Sequence, residues 1–365
     1  MDPFAQAVLT WFDSAGRHNL PWQRIGSPYA IWVSEIMLQQ TQVEVVIPYY
    51  ERFMRRFPGV IELAQASREE VLGLWSGLGY YARAHNLHRA AALIVEAYNA
   101  EFPATYEALR ALPGIGRSTA NAILAQAFGE PVAILDGNVK RVLARYHAVS
   151  GWPGHRATER VLWSLAEGHM PDRRIVDYTQ AMMDLGALVC TRHRPTCLSC
   201  PLRSGCQALA QQRVGAFPAP RPRTAKPTRA TVWVLASDAT GRVWLEQQHT
   251  AGIWGGLLVP PSTESVAGAA VWAGANLGPV RGGPTPMEPF RHTFSHFHLE
   301  ITPVWIQVAP WDTVADTDSG RWVVPGCQDQ QLPTPAPVTR LLEYIAGAPD
   351  QPEPKRVHRH DPGPS

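Results

Sequence analysis

Four of the five cysteines, Cys190, Cys197, Cys200 and Cys206, follow one another in the spacing C-x6-C-x2-C-x5-C. That is compact enough for four thiolates to converge on one centre. Zinc is the simple occupant. The surrounding pattern is helical, with no ribbon strands beside the cysteines, which argues against zinc, and the spacing also differs from the ferredoxin run. An odd cysteine count with four crowded together reads as metal ligation in a reducing compartment, not as a disulfide framework. The remaining thiol, Cys327, reads as a small, partly buried hydrophobe.

Two carboxylates stand in settings that suit acid–base work. Glu35 lies in Val33-Ser-Glu-Ile-Met-Leu-Gln-Gln-Thr-Gln-Val43, beside Trp32, Val33, Ile36 and Met37. Burial among them would raise its pKa and keep a proton available, as a general acid requires. On a plain amphipathic helix the same residue would simply face water. Helical spacing puts Glu35, Leu38, Gln39 and Gln42 on one face. Asp136 precedes a helix predicted to begin at Gly137, in Ile134-Leu-Asp-Gly-Asn-Val-Lys-Arg-Val142. An aspartate there is an ordinary N-cap, and a capping bond would also fix a carboxylate for catalysis.

The elements that must position these groups are legible around them. Pro103 breaks the chain, a helix runs through Leu109, Pro113-Gly-Ile-Gly116 turns, and a second helix covers Ala120, Ile123, Leu124 and Ala127. This is a helix-hairpin-helix over 105–129. Its glycines let backbone approach a phosphate, and the next helix N-terminus offers free N–H groups and a positive dipole. Alone, such a turn also serves to join packed helices. Arg117, Lys140, Arg141 and Arg145 flank the hairpin and the Asp136 helix, where phosphate contacts are expected.

Apolar spacings of three and four continue over 1–212, an all-α region. Residues 213–229 hold Pro218, Pro220, Pro222 and Pro227 among Arg213, Arg221, Arg223, Lys226 and Arg229, a stiff basic connector. Beyond it Thr231-Val-Trp-Val-Leu-Ala236, a turn at Asp238-Ala-Thr-Gly241 and Arg242-Val-Trp-Leu245 predict a β-hairpin opening a smaller α/β domain over 230–345. The polar, Pro-rich end, 346–365, reads as disordered.

Together with Leu20-Pro-Trp22, Gly77-Leu-Gly-Tyr-Tyr-Ala82, Ala181-Met-Met-Asp-Leu-Gly186 and Phe290-Arg-His-Thr-Phe-Ser-His296, these motifs closely resemble the adenine DNA glycosylases of the MutY type. Those enzymes fall within the endonuclease III, or helix-hairpin-helix-GPD, superfamily. The resemblance covers the chain up to the tail. It implies several domains: an all-α helix-hairpin-helix glycosylase domain with an iron-sulfur cluster, and an α/β Nudix-like C-terminal domain. The cofactor it implies is a [4Fe-4S] cluster held by Cys190, Cys197, Cys200 and Cys206 in the 190–206 loop. The activity it implies is base excision repair of double-stranded DNA: adenine mispaired with 8-oxoguanine or guanine is flipped out and excised, leaving an abasic site.

In those terms Glu35 protonates adenine N7, an effect of roughly 10² to 10⁴ in rate for a general acid. Asp136 stabilises the oxocarbenium-like sugar, and Asn138 orients the nucleophile or Asp136. Gln40 and Tyr80 enter the base stack, Trp22 walls the pocket, and Gly114, Gly116, Arg117 and Ser118 meet the DNA. Ser118 stands where endonuclease III relatives carry a Schiff-base lysine, which implies a monofunctional enzyme with little or no lyase activity. Phe294-Ser295-His296 becomes a hairpin tip that senses 8-oxoguanine through Ser295 and His296. Read from spacing alone, His292, His296 and His298 would equally form the solvated face of a strand. A Nudix hydrolase needs clustered glutamates for magnesium; between Gly256 and Val280 the acidic residue is Glu264, which leaves a binding role.

Length and composition bound the rest. A chain of 365 residues exceeds one ordinary domain, and 45% hydrophobic with 18% charged residues is a globular balance. A net charge of +2 neither demands nor excludes a nucleic-acid partner. The opening Met-Asp-Pro-Phe-Ala-Gln lacks signal-peptide character and no apolar run spans a bilayer, so a cytoplasmic enzyme acting on chromosomal DNA, with no membrane partner, is expected. Without a heptad seam a monomer is expected.

Overall fold

The structure is a computed structural model and describes residues 2–222, 225–248, 252–309, 311, 316, 319–327 and 332–347. It divides into two compact units: residues 1–66 with 82–223, and residues 67–81 with 224–365. The first unit is helical. It holds α1 (Pro3–Ala15), α2 (Pro21–Ile25), α3 (Pro28–Leu38), α4 (Val43–Arg56) and α5 (Val60–Gln65). After α6 (Arg68–Trp75), which belongs to the second unit, it resumes with α7 (Ala82–Tyr98), α8 (Tyr106–Ala111), α9 (Arg117–Phe128), α10 (Gly137–Tyr146), α11 (Arg156–Gly168), α12 (Ile175–Asp184) and α13 (Gln207–Ala210).

Phe4, Val8, Leu9 and Phe12 recur along α1 at helical spacing and bury against Val139, Val142 and Leu143 of α10, Leu162 of α11 and Met182 of α12. Each such side chain contributes about 1.5–3 kcal/mol when fully buried. Their combined effect is to fix α10, whose first turn carries Asp136. At the end of α12 the wholly buried Asp184 accepts from the Arg17 backbone N at 2.7 Å, from its guanidinium at 2.6 and 2.8 Å, and from Gln180 at 2.8 Å. The carboxylate is thereby compensated, without which its burial would cost several kcal/mol. α12 then widens into a π-helical turn, Leu185–Val189, that lies on α10. Gly186 permits this approach, since a Cβ there would sit 2.5 Å from Cβ of Asn138.

The second unit is built on a mixed sheet of β1 (Thr228–Ser237), β2 (Val243–Gln247), β3 (Leu258–Val259), β4 (Ser262–Thr263), β5 (Val280–Pro286), β6 (Phe290–Thr293), β7 (His298–Val308) and β8 (Gly320–Val323). The β1–β2 hairpin forms where the alternation predicts it, antiparallel with Ser237 opposite Val243. β1 and β7 pair in parallel from Thr228 opposite His298 to Ser237 opposite Gln307, and the other pairs are antiparallel. Period-two alternation along β1 serves two cores. Val232, Val234 and Ala236 pack under α14 (Val266–Asn276), whereas Trp233 and Leu235 share a core with α15 (Ala336–Gly347).

Three details depart from the sequence reading. Cys327 is exposed, in the turn after β8, and not partly buried. β1 already begins at Thr228, inside the expected connector, and Lys226 donates to the Phe294 carbonyl at 2.8 Å. The expected tail lies outside the described residues from 348 onward, and residues 346 and 347 close α15. Among the described residues no helix is long and apolar enough to cross a membrane.

Candidate active site

Glu35 is carried by α3, a helix that Ser27 caps by accepting from the Ala30 N at 3.1 Å and that Pro28 starts at its first turn. Trp32, Val33, Ile36 and Met37 around it are buried. Glu35 is half-buried, and Gln126 of α9 donates to its Oε1 at 2.7 Å. Burial pushes the Glu35 pKa up to about 7, the negative charge of Asp136 adds to the rise, and the Gln126 bond opposes it. Near neutral pH the group therefore still carries a proton.

Asp136 caps α10: its Oδ1 accepts from the Val139 N at 2.8 Å and its Oδ2 from Nδ2 of Asn138 at 3.3 Å. Burial raises its pKa, while the Val139 and Asn138 amides, the Arg141 charge and the Asn138 side chain all pull the other way. The segment leading to it is tied to α9, where Ser118 Oγ accepts from the Leu135 N at 3.0 Å and Asn121 donates to the Ala133 carbonyl at 2.6 Å. Beyond Asn138, Arg141 bonds the Asn138 amide oxygen at 2.8 Å, the Gly186 carbonyl at 2.7 Å and the Cys190 carbonyl at 2.7 Å. The two carboxyls differ in their surroundings: Glu35 stands among apolar side chains with one donor, whereas Asp136 accepts from the Val139 amide and the Asn138 side chain.

The helix-hairpin-helix is α8, the Pro113–Gly116 turn and α9. Gly114 has φ 81°, and a Cβ there would meet Cβ of Asn86 at 2.8 Å, so the turn needs glycine twice over. Gly116 is the N-cap of α9. The flanking cations are more committed than their positions suggest. Arg117 lies 3.8 Å over the Trp163 ring and pairs with Glu167, and Lys140 pairs with Glu159 at 2.6 Å. Arg145 is 3% exposed and is spent on the carbonyls of Thr191, Arg192 and Phe217, so it does not reach a phosphate.

The expected helical face from Glu35 to Gln42 is interrupted. α3 ends at Leu38, Gln40 turns to φ 59°, and Gln42 caps α4. The cause is Arg83, a buried guanidinium that donates to the carbonyls of Ile36, Met37 and Gln39 at 3.1, 2.6 and 2.7 Å, taking acceptors that another helical turn would use. The exposed Gln40 is thus presented on a sharp turn. Tyr80, in the second unit, has φ 50° and is 53% exposed. A non-glycine residue in the left-handed region costs about 1 kcal/mol or more, and such residues cluster at functional sites. Trp22 is buried, edge-on to Tyr50.

Phe294–Phe297 is the turn of the β6–β7 hairpin, closed by the Phe294 N donating to the Phe297 carbonyl at 2.9 Å. Phe294 stacks on Phe297 at 4.5 Å, which leaves Ser295 and His296 exposed at the tip. His292 is not on a solvated face: it is half-buried, edge-on to Phe294, and burial lowers its pKa.

Cys190, Cys197, Cys200 and Cys206 are free and half-buried. Cys200 is pushed up to about 11, by burial first and then by the charges of the other three, so the four sulfurs are electrostatic neighbours. Arg145 donates to Sγ of Cys190 at 3.3 Å. Among the described residues no three His, Cys, Asp or Glu side chains are set to hold a single metal ion. Four thiols in one short loop with a guanidinium beside Cys190 are a soft, sulfur-only donor set, whose chemistry suits an iron-sulfur group better than a hard cation.

Gln126, Arg83, Asp184 and the Arg141 link escaped the sequence reading. Arg141 left a signal, being three residues beyond Asn138 on one helix face, and Asp184 stands in the Ala181–Gly186 motif.

Residues 33–167 match the family of HhH-GPD superfamily base excision DNA repair proteins, and residues 231–344 match the NUDIX domain. The chain is 35% identical over 342 residues to the adenine DNA glycosylase of Buchnera aphidicola subsp. Baizongia pistaciae (strain Bp), covering 94% of this chain and 96% of that one. It is 45% identical over 220 residues to the adenine DNA glycosylase of Homo sapiens, covering 58% and 40%. A thermostable thymine-DNA glycosylase structure superposes with a TM-score of 0.52 at 27% identity, covering 57% of this chain and 95% of that one. The chain therefore belongs to the adenine DNA glycosylases, base excision repair enzymes that hydrolyse an N-glycosidic bond, with a helix-hairpin-helix glycosylase domain and a Nudix-like C-terminal domain.

Proposed function

We propose that this enzyme is a monofunctional glycosylase that excises adenine mispaired with 8-oxoguanine or guanine. The observation that carries the reading is the Glu35 pocket, where burial and Asp136 hold a carboxyl's proton up to about pH 7. Glu35 donates that proton to N7 of a flipped adenine and so improves the leaving group. Asp136, ionised among its donors, stabilises the sugar as positive charge develops, and Asn138 orients it. Extrusion of the base leaves a gap and costs a few kcal/mol, least at a mismatch. Gln40 and Tyr80, each on a left-handed turn, fill the stack. Gly114, Gly116 and Ser118 present backbone and hydroxyl to the DNA, and Arg117 exchanges Glu167 for a phosphate. Adenine is an undamaged base, so selection must come from its partner, and the exposed Ser295 and His296 supply that contact.

Ser118 also supports monofunctional chemistry: the position offers a hydroxyl bonded to the Leu135 amide and no amine for a Schiff base. Cys190, Cys197, Cys200 and Cys206 would hold a [4Fe-4S] cluster, whose role when bound is to cross-link the loop over α10. The enzyme acts as a monomer. Single-turnover excision on duplexes carrying adenine opposite 8-oxoguanine, guanine or thymine, each read with and without alkali, tests the reading. Alkali-revealed cleavage opposite 8-oxoguanine and guanine alone is expected. Efficient borohydride trapping of a protein–DNA adduct would sink the monofunctional assignment.

A further inference from the structure

Residues 67–81 sit within the helical half of the sequence, yet they pack with the C-terminal unit. α6 is capped by Ser67, whose Oγ accepts from the Glu70 N at 3.1 Å, and Glu69 of its first turn pairs with Arg321 of β8 at 2.7 Å. After α6 the chain runs through Gly77 at φ 93°, Gly79 at φ 75° and Tyr80 at φ 50°. A loop of left-handed residues that ends on a tyrosine persists only if neighbouring bonds hold it.

Those bonds converge on one carbonyl. Ser76 Oγ donates to the Thr334 oxygen at 3.0 Å and Tyr81 Oη donates to the same oxygen at 2.9 Å. The Gly77 N donates back to Tyr81 Oη at 3.3 Å, and Trp75 Nε1 donates to the Gly79 carbonyl at 3.2 Å. Tyr81 thus uses its hydroxyl both as donor and as acceptor, and the Thr334 carbonyl uses both lone-pair directions. The acceptor is itself fixed. Thr334 is 4% exposed, its Oγ1 bonds Thr339 Oγ1 of α15 at 3.0 Å, and the Pro333 carbonyl accepts from the Leu258 N of β3 at 2.8 Å. Leu258 and Val338 of α15 belong to one apolar core with Phe297, and Phe294 and Trp254 pack against it. The Tyr80 loop and the Ser295–His296 hairpin therefore stand on the same small core.

We propose that Ser76 and Tyr81 are positioning residues that fasten the Tyr80 loop to the Thr334 carbonyl, so that the domain reading the opposite base also sets the pose of the side chain entering the stack. This rests on the roles given to Tyr80, Ser295 and His296 above. Contact at the hairpin tip stiffens the shared core, the core holds Thr334, and Thr334 holds the wedge. Excision opposite 8-oxoguanine, the base assigned to the Ser295–His296 tip, then depends on the joint more than excision opposite guanine does.

The test uses the full-length protein carrying its iron. Ser76→Ala, Tyr81→Phe and Ser76→Thr, which keeps the hydroxyl, are compared with wild type on adenine opposite 8-oxoguanine and opposite guanine. The readouts are single-turnover rates and the fluorescence of 2-aminopurine beside the target base. Ser76→Ala and Tyr81→Phe are each expected to slow excision opposite 8-oxoguanine by roughly tenfold, the scale of one lost hydroxyl bond. Excision opposite guanine should change little, 2-aminopurine should stay quenched by stacking, Ser76→Thr should behave as wild type, and combination with His296→Ala should be less than additive. An unchanged preference for 8-oxoguanine in both hydroxyl-removing variants, or an equal loss on both substrates, overturns the proposal. A wild-type enzyme with equal rates on the two substrates removes the 8-oxoguanine-sensing role given to Ser295 and His296, and this inference with it, whereas equal cleavage opposite thymine would overturn the opposite-base reading itself.

Discussion

Glu35 holds its proton for a reason that can be titrated. In the proposed acid role it acts below its pKa, so single-turnover excision should fall tenfold per pH unit above about pH 7. The proposal assigns the acidic limb to Asp136, and burial should place it above the ordinary aspartate range. A flat profile between pH 6 and 9 would remove Glu35 from the acid role. Burying the carboxyl also carries a stability cost with a definite sign. The folded pKa exceeds the ordinary 4.5, so the folded state binds more protons and stability declines as pH rises from 4.5 to about 7. Glu35→Gln, which should lose at least 10² in excision, should therefore gain about 3 kcal/mol at pH 8 and nothing below pH 4.5. Urea midpoints at the two pH values measure this, and a destabilised variant at pH 8 would contradict it.

At the scale of elements, two contacts decide where the chemistry stands. Arg83 ends α3 by occupying three carbonyls, so Arg83→Leu should cost about 3 kcal/mol and loosen the Gln40 turn. Thermal unfolding and proteolysis between Leu38 and Val43 would report it; a variant as stable as wild type would mean that α3 ends for another reason. Gly186 lets the π-helical turn lie on Asn138, so Gly186→Ala must push that side chain or the turn away. About 1–3 kcal/mol of overpacking is expected, together with a fall in excision rate at unchanged DNA affinity if Asn138, which bonds Asp136, orients it as proposed. Loss of affinity with a normal rate would assign the turn to DNA contact instead.

For the whole molecule, the four-cysteine loop is the part whose filling can be counted. Purified protein should contain iron and acid-labile sulfide in a one-to-one ratio, and removing the iron by chelation should lower the unfolding temperature through the Cys190–Arg141 and Cys190–Arg145 contacts on α10. Zinc without sulfide would replace the proposed cluster by a single ion. The same scale holds the exchange of residues 67–81, which lets a C-terminal unit reach an element embedded in the helical half of the sequence.

Much of this is legible in the sequence alone. Three-and-four spacing marks the helical unit, period-two alternation marks β1 and β2, and the Asp136 cap follows from an aspartate ahead of a helix. The cysteine spacing alone brings four thiols into one loop. These features are local, so chain periodicity and turn chemistry determine them. What only the tertiary structure decided is non-local: that Gln126 reaches Glu35 across 91 residues, that Arg83 shortens α3, and that Arg145 is spent inside the protein. No sequence spacing encodes which buried donor will meet a given acceptor, because that depends on how whole helices pack. The Ser76 and Tyr81 bonds to Thr334, more than 250 residues away, are the extreme case: adjacency there is created by the fold alone.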